Sequence, residues 1–286
     1  MRRIFFLILL MGLVAYAPYQ CRAESSNISD QPEKLRNTLQ VVRERGKLIA
    51  GVTSQEPPLG FVDKNGELKG IEIDIAQALA RKIFGKPDRV ELIPVPVEKW
   101  VDFLKSGKID ILLAPVFIKE DQREEIDYSI PYFVSGGLIM VKKDSKIRRY
   151  QDLEGKSVAT IRGTTGETLI REFLPKARSV QFQTNAQALQ ALNEHKVDAF
   201  AQLDVFVFFM EAKDKNLRVV DLKPVHPSPI RLGVRKGDKA WRDFVDGELL
   251  EMITNSEYHK MLEKWFGKVR GEFLELALRK EIKLKQ

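Results

Sequence analysis

Residues 104–116 read Leu104-Lys105-Ser106-Gly107-Lys108-Ile109-Asp110-Ile111-Leu112-Leu113-Ala114-Pro115-Val116. The run starts on the last turn of a helix and ends as a strand. Val97, Trp100, Val101 and Leu104 recur at helical spacing, and Gly107 stops that helix. Residues 109–116 are apolar on both faces, as a strand inside a parallel sheet must be. The same unit returns later in the chain. A helix through Leu189 and Leu192 ends near His195, and Lys196-Val197-Asp198-Ala199 opens another strand. Helix, lysine, apolar residue, aspartate, strand, twice over, predicts two α/β lobes of mostly parallel sheet with right-handed crossovers.

The flanking segments extend this pattern. Residues 47–53 and 90–95 predict strands. Glu56-Pro57-Pro58-Leu59-Gly60 predicts a loop, since it suits neither a helix nor an inner strand. Asp63-Lys64-Asn65-Gly66 predicts a turn. Asp74 is placed to cap a helix carrying Ile75, Leu79 and Ile83 and ending at Gly85. Residues 138–143 and 230–237 are apolar strands running into lysine-rich turns, and both are expected to cross between lobes. The first lobe then comprises residues 41–136 and 233–267, and the second comprises residues 137–232. Two lobes joined by two strands can hinge about a cleft. In the tail, residues 268–286, Leu274, Leu278 and Ile282 share one helical stripe. That stripe suits either a helix packed on the first lobe or a contact with a membrane surface or partner.

Of 286 residues, 44% are hydrophobic and 30% charged, enough apolar material for a sizeable core and too much for a disordered chain. The N-terminus sets the expected compartment. Arg2 and Arg3 precede an apolar run over residues 4–17, Pro18 breaks it, and Cys21-Arg22-Ala23 follows. This is the pattern of a secretory signal peptide, residues 1–23, cut after Ala23, with a polar leader over residues 24–40. An uncleaved anchor and a lipoprotein modified at Cys21 are the alternatives. Cys21 is the only cysteine, so a disulfide framework is excluded. The net charge of +7 is spread among acids, and cleavage would remove Arg2, Arg3 and Arg22, so no nucleic-acid patch is expected.

These segments resemble the bacterial periplasmic solute-binding proteins of family 3, the amino-acid type that feeds ABC transporters. The matching strings are Gly66-Glu67-Leu68-Lys69-Gly70-Ile71-Glu72-Ile73-Asp74-Ile75-Ala76, the run from Leu104 to Asp110, and Ile126-Asp127-Tyr128-Ser129-Ile130-Pro131-Tyr132. Asp152-Leu153-Glu154-Gly155-Lys156-Ser157-Val158, Gly163-Thr164-Thr165, Lys196-Val197-Asp198, and Tyr258 through Glu263-Lys264-Trp265-Phe266-Gly267 complete the set. The resemblance spans residues 41–267. It implies a type II periplasmic-binding-protein fold, an inner-membrane ABC permease as partner, a small polar solute as ligand, and a monomer. A ligand-sensing module for a signalling partner is the alternative on the same fold, and a dehydratase-like enzyme is a third reading by analogy of fold.

In proteins of this kind an arginine, hydroxyls and Gly-Thr-Thr amides hold a carboxylate, acidic side chains hold an ammonium, and an aromatic flanks the ligand. Gly163, Thr164 and Thr165 match that pattern. The remaining positions differ. The arginine position falls on Gln122, with Arg123 next to it. The hydroxyl positions fall on Pro115 and Phe117, and the aspartate position on Leu203, with Asp204 following. The aromatic position falls on Glu56 and the acid before it on Thr53. The ligand is therefore expected to be a different small polar molecule, or an amino acid held in an altered mode. Candidate contacts are Glu56, Phe61, Trp100, Phe117, Lys119, Gln122, Gly163, Thr164, Thr165 and Asp204. Residues 163–165 can act as an anion site at a helix start, and Thr164 with Glu167 also fits a capping box. His195, His226 and His259 lack metal-site spacing, and no nucleophile elbow or phosphate loop is present. No metal, cofactor or catalytic residue is expected.

Overall fold

The computed structural model describes residues 37–116 and 124–283. The signal-peptide segment, Cys21, and Phe117, Lys119 and Gln122 lie outside the described residues. The first part of the chain holds α1 (Thr38–Arg45), β1 (Leu48–Val52), β2 (Gln55–Glu56), β3 (Gly60–Val62), β4 (Leu68–Lys69), α2 (Ile71–Phe84), β5 (Val90–Pro94), α3 (Trp100–Lys105) and β6 (Ile111–Val116). Then follow β7 (Ile126–Lys142), β8 (Ser157–Ile161), α4 (Thr165–Phe173), β9 (Arg178–Phe182), α5 (Asn185–Asn193), β10 (Ala199–Leu203), α6 (Asp204–Lys213) and β11 (Leu217–Val219). The chain ends with β12 (Val225–Arg235), α7 (Lys239–Thr254), α8 (Glu257–Phe266) and α9 (Lys268–Lys283).

The main sheet runs in the order β5-β1-β6-β12-β7-β10-β8-β9, and β11 pairs with β7. At one end β5, β1 and β6 are parallel, and at the other β10, β8 and β9 are parallel. The long strands β7 and β12 pair antiparallel and join the two halves. The two lobes read from the sequence thus share a continuous sheet. A small sheet of β2, β3 and β4 rides beside α2.

The repeated aspartate has the same task in both halves. Asp110 donates its amide to the Ile49 carbonyl, and its carboxylate accepts the Ile49 amide at 2.7 Å. Asp198 donates its amide to the Ser157 carbonyl, and its carboxylate accepts the Ser157 amide and hydroxyl, each at 2.8 Å. Each aspartate therefore fastens the start of its strand to the parallel neighbour, β1 or β8. A parallel pair gains less per residue than an antiparallel one, so a side-chain clamp at its open end is useful. Asp110 is 2% exposed and also receives Arg45, whereas Asp198 is exposed to water.

The helix over α2 begins at Ile71 and not at the Asp74 that the sequence suggested. Its first amides are taken by loop carbonyls, Ile71 by Pro58 and Glu72 by Leu59. Gly70 sits at φ 140°, with Leu59 O only 2.0 Å from where a Cβ would be. No side-chain cap is needed there, and Asp74 instead accepts Lys264 and Trp265 from α8.

The pairing of β7 with β12 shifts register near Arg231. The amides this releases are satisfied by side chains. Leu232 donates to Ser129 Oγ at 3.0 Å, and Ile130 donates to Asp246 at 2.7 Å. The apolar stripe of the tail is used in packing, since Leu274 and Leu278 are buried.

The two aspartate clamps should differ in weight. Asp110→Asn is expected to cost about 2 kcal/mol, because it weakens a buried, charge-assisted bond and removes the negative charge that Arg45 faces. Asp198→Asn should cost clearly less, because water can replace its carboxylate. Urea denaturation midpoints of the two variants test that order.

Candidate functional site

A cleft of about 690 Å³ opens between the two halves of the sheet. Gln55, Glu56, Pro57 and Trp100 line it from the first half. The second half contributes strand ends and helix starts. Ile161 ends β8, residues 163–165 lead into α4, Gln183, Thr184 and Asn185 lead into α5, and Gln202 and Leu203 end β10. Leu189 of α5 and Phe206 and Met210 of α6 form an apolar floor. Crevices at the carboxyl ends of parallel strands collect helix N-termini, whose first-turn amides have no intrahelical acceptor. That geometry suits an anionic group.

Two glycines shape the α4 start. Gly163 has φ 75°, and a Cβ on Gly166 would meet Ala201 O at 2.0 Å, so α4 lies directly on β10. The capping there differs from the box read from the sequence. Thr164 donates its hydroxyl to the Ile161 carbonyl at 2.7 Å, and Glu167 accepts the Gly163 amide at 2.7 Å, one residue before the cap. Thr184 caps α5 by accepting the Gln187 amide. Gln202 donates to Asn185 Oδ1 at 2.7 Å and accepts the Leu203 amide, which leaves the Asn185 amide nitrogen without a protein acceptor among the described residues.

Glu56 is the only charged side chain among the described lining residues. It keeps solvent contact on the cleft side, while protein crowding its other sides raises its pKa. Behind it, Glu72 is fully buried and accepts hydrogen bonds from Tyr132 and Thr53. Burial pushes the Glu72 carboxyl up to about 8, and the charge of Glu56 adds to this.

The structure brings together Glu56, Trp100, Gly163, Thr164 and Thr165 around one cavity. Trp100 has a second role, donating to the Val95 carbonyl inside the first-half core. Phe61 and Asp204 are not among the lining residues. Phe61 packs against Phe209 and, edge-on, Trp265. Asp204 is 1% exposed, accepts from Ser135 and the amides of Gly136 and Val205, and so fixes the start of α6 to β7. Burial raises its carboxyl to about 7. Gln55, Gln183, Asn185, Gln202, Leu203, Phe206 and Met210 were not among the sequence candidates. The rule that clefts form at strand ends would have pointed to 183–185 and 202–203. Among the described residues no group of His, Cys, Asp and Glu is placed to hold a metal, and no helix is long and apolar enough to cross a membrane.

The family model for bacterial extracellular solute-binding proteins, family 3, matches residues 48–268. The chain belongs to that family. The ABC transporter glutamine-binding protein GlnH of Bacillus subtilis (strain 168) is 29% identical over 267 residues, covering 93% of this chain and 97% of the relative. The glutamine-binding protein of Geobacillus stearothermophilus is 32% identical over 240 residues, covering 82% and 91%. Among solved structures, the ancestral cationic amino acid solute-binding protein AncCDT-1 matches with a TM-score of 0.74 and 34% identity, covering 80% of this chain and all of that one. A second structure of AncCDT-1 is described as a precursor of cyclohexadienyl dehydratase. The two-lobe fold with two crossing strands is the type II fold of this family, and the family places the protein outside the cytoplasm.

The Glu72 carboxyl is raised in the folded state, so the folded protein binds the extra proton. Its contribution to stability is complete below the ordinary value of 4.5 and is lost as pH rises through about 8. Unfolding free energies of wild type and Glu72→Gln, measured from mildly acidic to mildly alkaline pH, should show the wild-type decline flattened in the variant.

Proposed function

We propose that this chain is the periplasmic substrate-binding component of an ABC transporter. A signal peptide cut after Ala23 exports it, and it delivers an amino acid or a related small polar solute to an inner-membrane permease. The names of its glutamine-binding relatives support the ligand class. The observation that carries the reading is that Glu56 from one half and residues 163–165 from the other line the same cleft, spanned behind by β7 and β12. The ligand's carboxylate is placed at the α4 start and its ammonium at Glu56. Leu203, which lines the cleft, takes no ammonium, so Glu56 supplies the negative pole. Asn185 and Gln55 are placed to read polar groups on the ligand, and Phe206 and Met210 to hold its apolar part.

Binding proceeds by hinge closure. Ligand bridging the two walls favours the closed arrangement only through contacts it gains there. The solute leaves unchanged, a reading supported by the solute-binding proteins that this chain resembles.

Titration calorimetry against the common amino acids is expected to find at least one that binds. Glu56→Gln should weaken that ligand by about tenfold or more, the loss expected of a charge-assisted bond. Turnover of a ligand on incubation would instead favour the dehydratase-like chemistry descended from AncCDT-1.

A further inference from the structure

The match to the family model ends at residue 268, where α9 begins. One face of α9 is fixed to the first half. A Cβ on Gly271 would lie 3.1 Å from Glu263 N, so the helix lies against α8. Glu275 binds His259 of α8, and Arg279 reaches the Ile253 carbonyl at the end of α7. Its other face meets α6. Arg270 donates through Nε and Nη2 to Glu211 at 3.0 and 2.7 Å, and its guanidinium lies over the Phe208 ring at 4.8 Å. Phe273 meets the same ring edge-on at 5.9 Å. Glu211 in turn accepts the Val219 amide of β11, a strand paired to the second-half end of β7. On another face of the same stretch of α6, Phe206 and Met210 line the cleft.

The geometry points to Arg270 as a positioning residue for ligand binding: through Glu211 and Phe208 it makes α9 a further link between the halves, beside the two crossing strands and the Phe61–Phe209 contact, which sets how far the cleft opens. The β7–β12 pairing is irregular near Arg231, where the strands are bent and the ladder is interrupted. Nε and Nη2 of Arg270 converge on one Glu211 oxygen while the guanidinium lies on the Phe208 ring, and the charge-assisted bonds and the ring contact together resist movement of α6 away from α9. Both members are about one-fifth exposed, which limits screening by water. Glu56 and residues 163–165 stand on opposite walls of the cavity of about 690 Å³, and that spacing is the one Arg270 is proposed to hold.

This inference rests on the hinge proposed above, and the experiment separates the two. Spin labels at Lys64→Cys and Lys176→Cys, one exposed site on each half, report the interlobe distance by double electron–electron resonance in a chain carrying Cys21→Ser. In ligand-free protein, Arg270→Ala and Glu211→Gln should each broaden the distance distribution toward shorter separations. The double variant should broaden it no further. Arg270→Lys, which keeps the charge and loses the fork, should lie between Arg270→Ala and wild type. Distributions that superimpose on wild type, with only the melting temperature lowered, would show that Arg270 merely anchors α9 and would overturn the inference. A wild-type distribution unmoved by a calorimetrically verified amino-acid ligand would instead count against hinge closure itself.

Discussion

The antiparallel pairing of β7 with β12 is the constraint on which the rest depends. Among the described residues, every other strand of the main sheet belongs to one half, and only these two are long enough to serve both. Their length makes the molecule continuous, and their interrupted register makes it bendable. A buried register shift would ordinarily leave amides without acceptors, at a cost comparable to a lost hydrogen bond each. Ser129 and Asp246 supply the missing acceptors, so the irregularity is held in place by side chains. The joint is therefore a specified structure in which bending does not require breaking a regular ladder.

From that joint the cleft follows geometrically. Parallel strands on either side present their carboxyl ends to the gap, and in the second half β8, β9 and β10 each lead into a helix start. The second half provides amides and small polar side chains, and the first provides the negative charge at Glu56. Buried carboxyls at Glu72 and Asp204 stand behind the walls, each fully hydrogen-bonded: Glu72 ties β1 and α2 to β7, and Asp204 ties α6 to β7. Their raised pKa values record the burial that this anchoring requires. The same α6 that floors the cleft carries Glu211 on another face, so the floor, the second half and the C-terminal helix meet in one element.

Much of this was present in local sequence patterns. The helix-lysine-apolar-aspartate-strand repeat showed two α/β halves because periodicity and breakers act over a few residues. It also marked Asp110 and Asp198, whose clamping role emerged only once the neighbouring strands were in place. Residues 163–165 were readable because a strand, a glycine and two hydroxyl residues before a helix form a local signature. Glu56 was reachable through the family pattern, and Trp100 was read from its helical spacing. Phe61 and Asp204, also among the sequence candidates, are engaged with other side chains and do not line the cavity. The α2 start shows the limit of local patterns. Carbonyls of Pro58 and Leu59 cap that helix, and no window around Asp74 contains them.

The sequence by itself determined the alternation of strands and helices, the two crossing strands and the short Gly163-Thr164-Thr165 turn before a helix, because each depends on residues adjacent in the chain. Only the tertiary structure decided that Asn185, Gln202, Phe206 and Met210 face Glu56, and that Arg270 reaches Glu211. Those side chains are brought together by crossover connections and helix packing, whose geometry is set by the whole core.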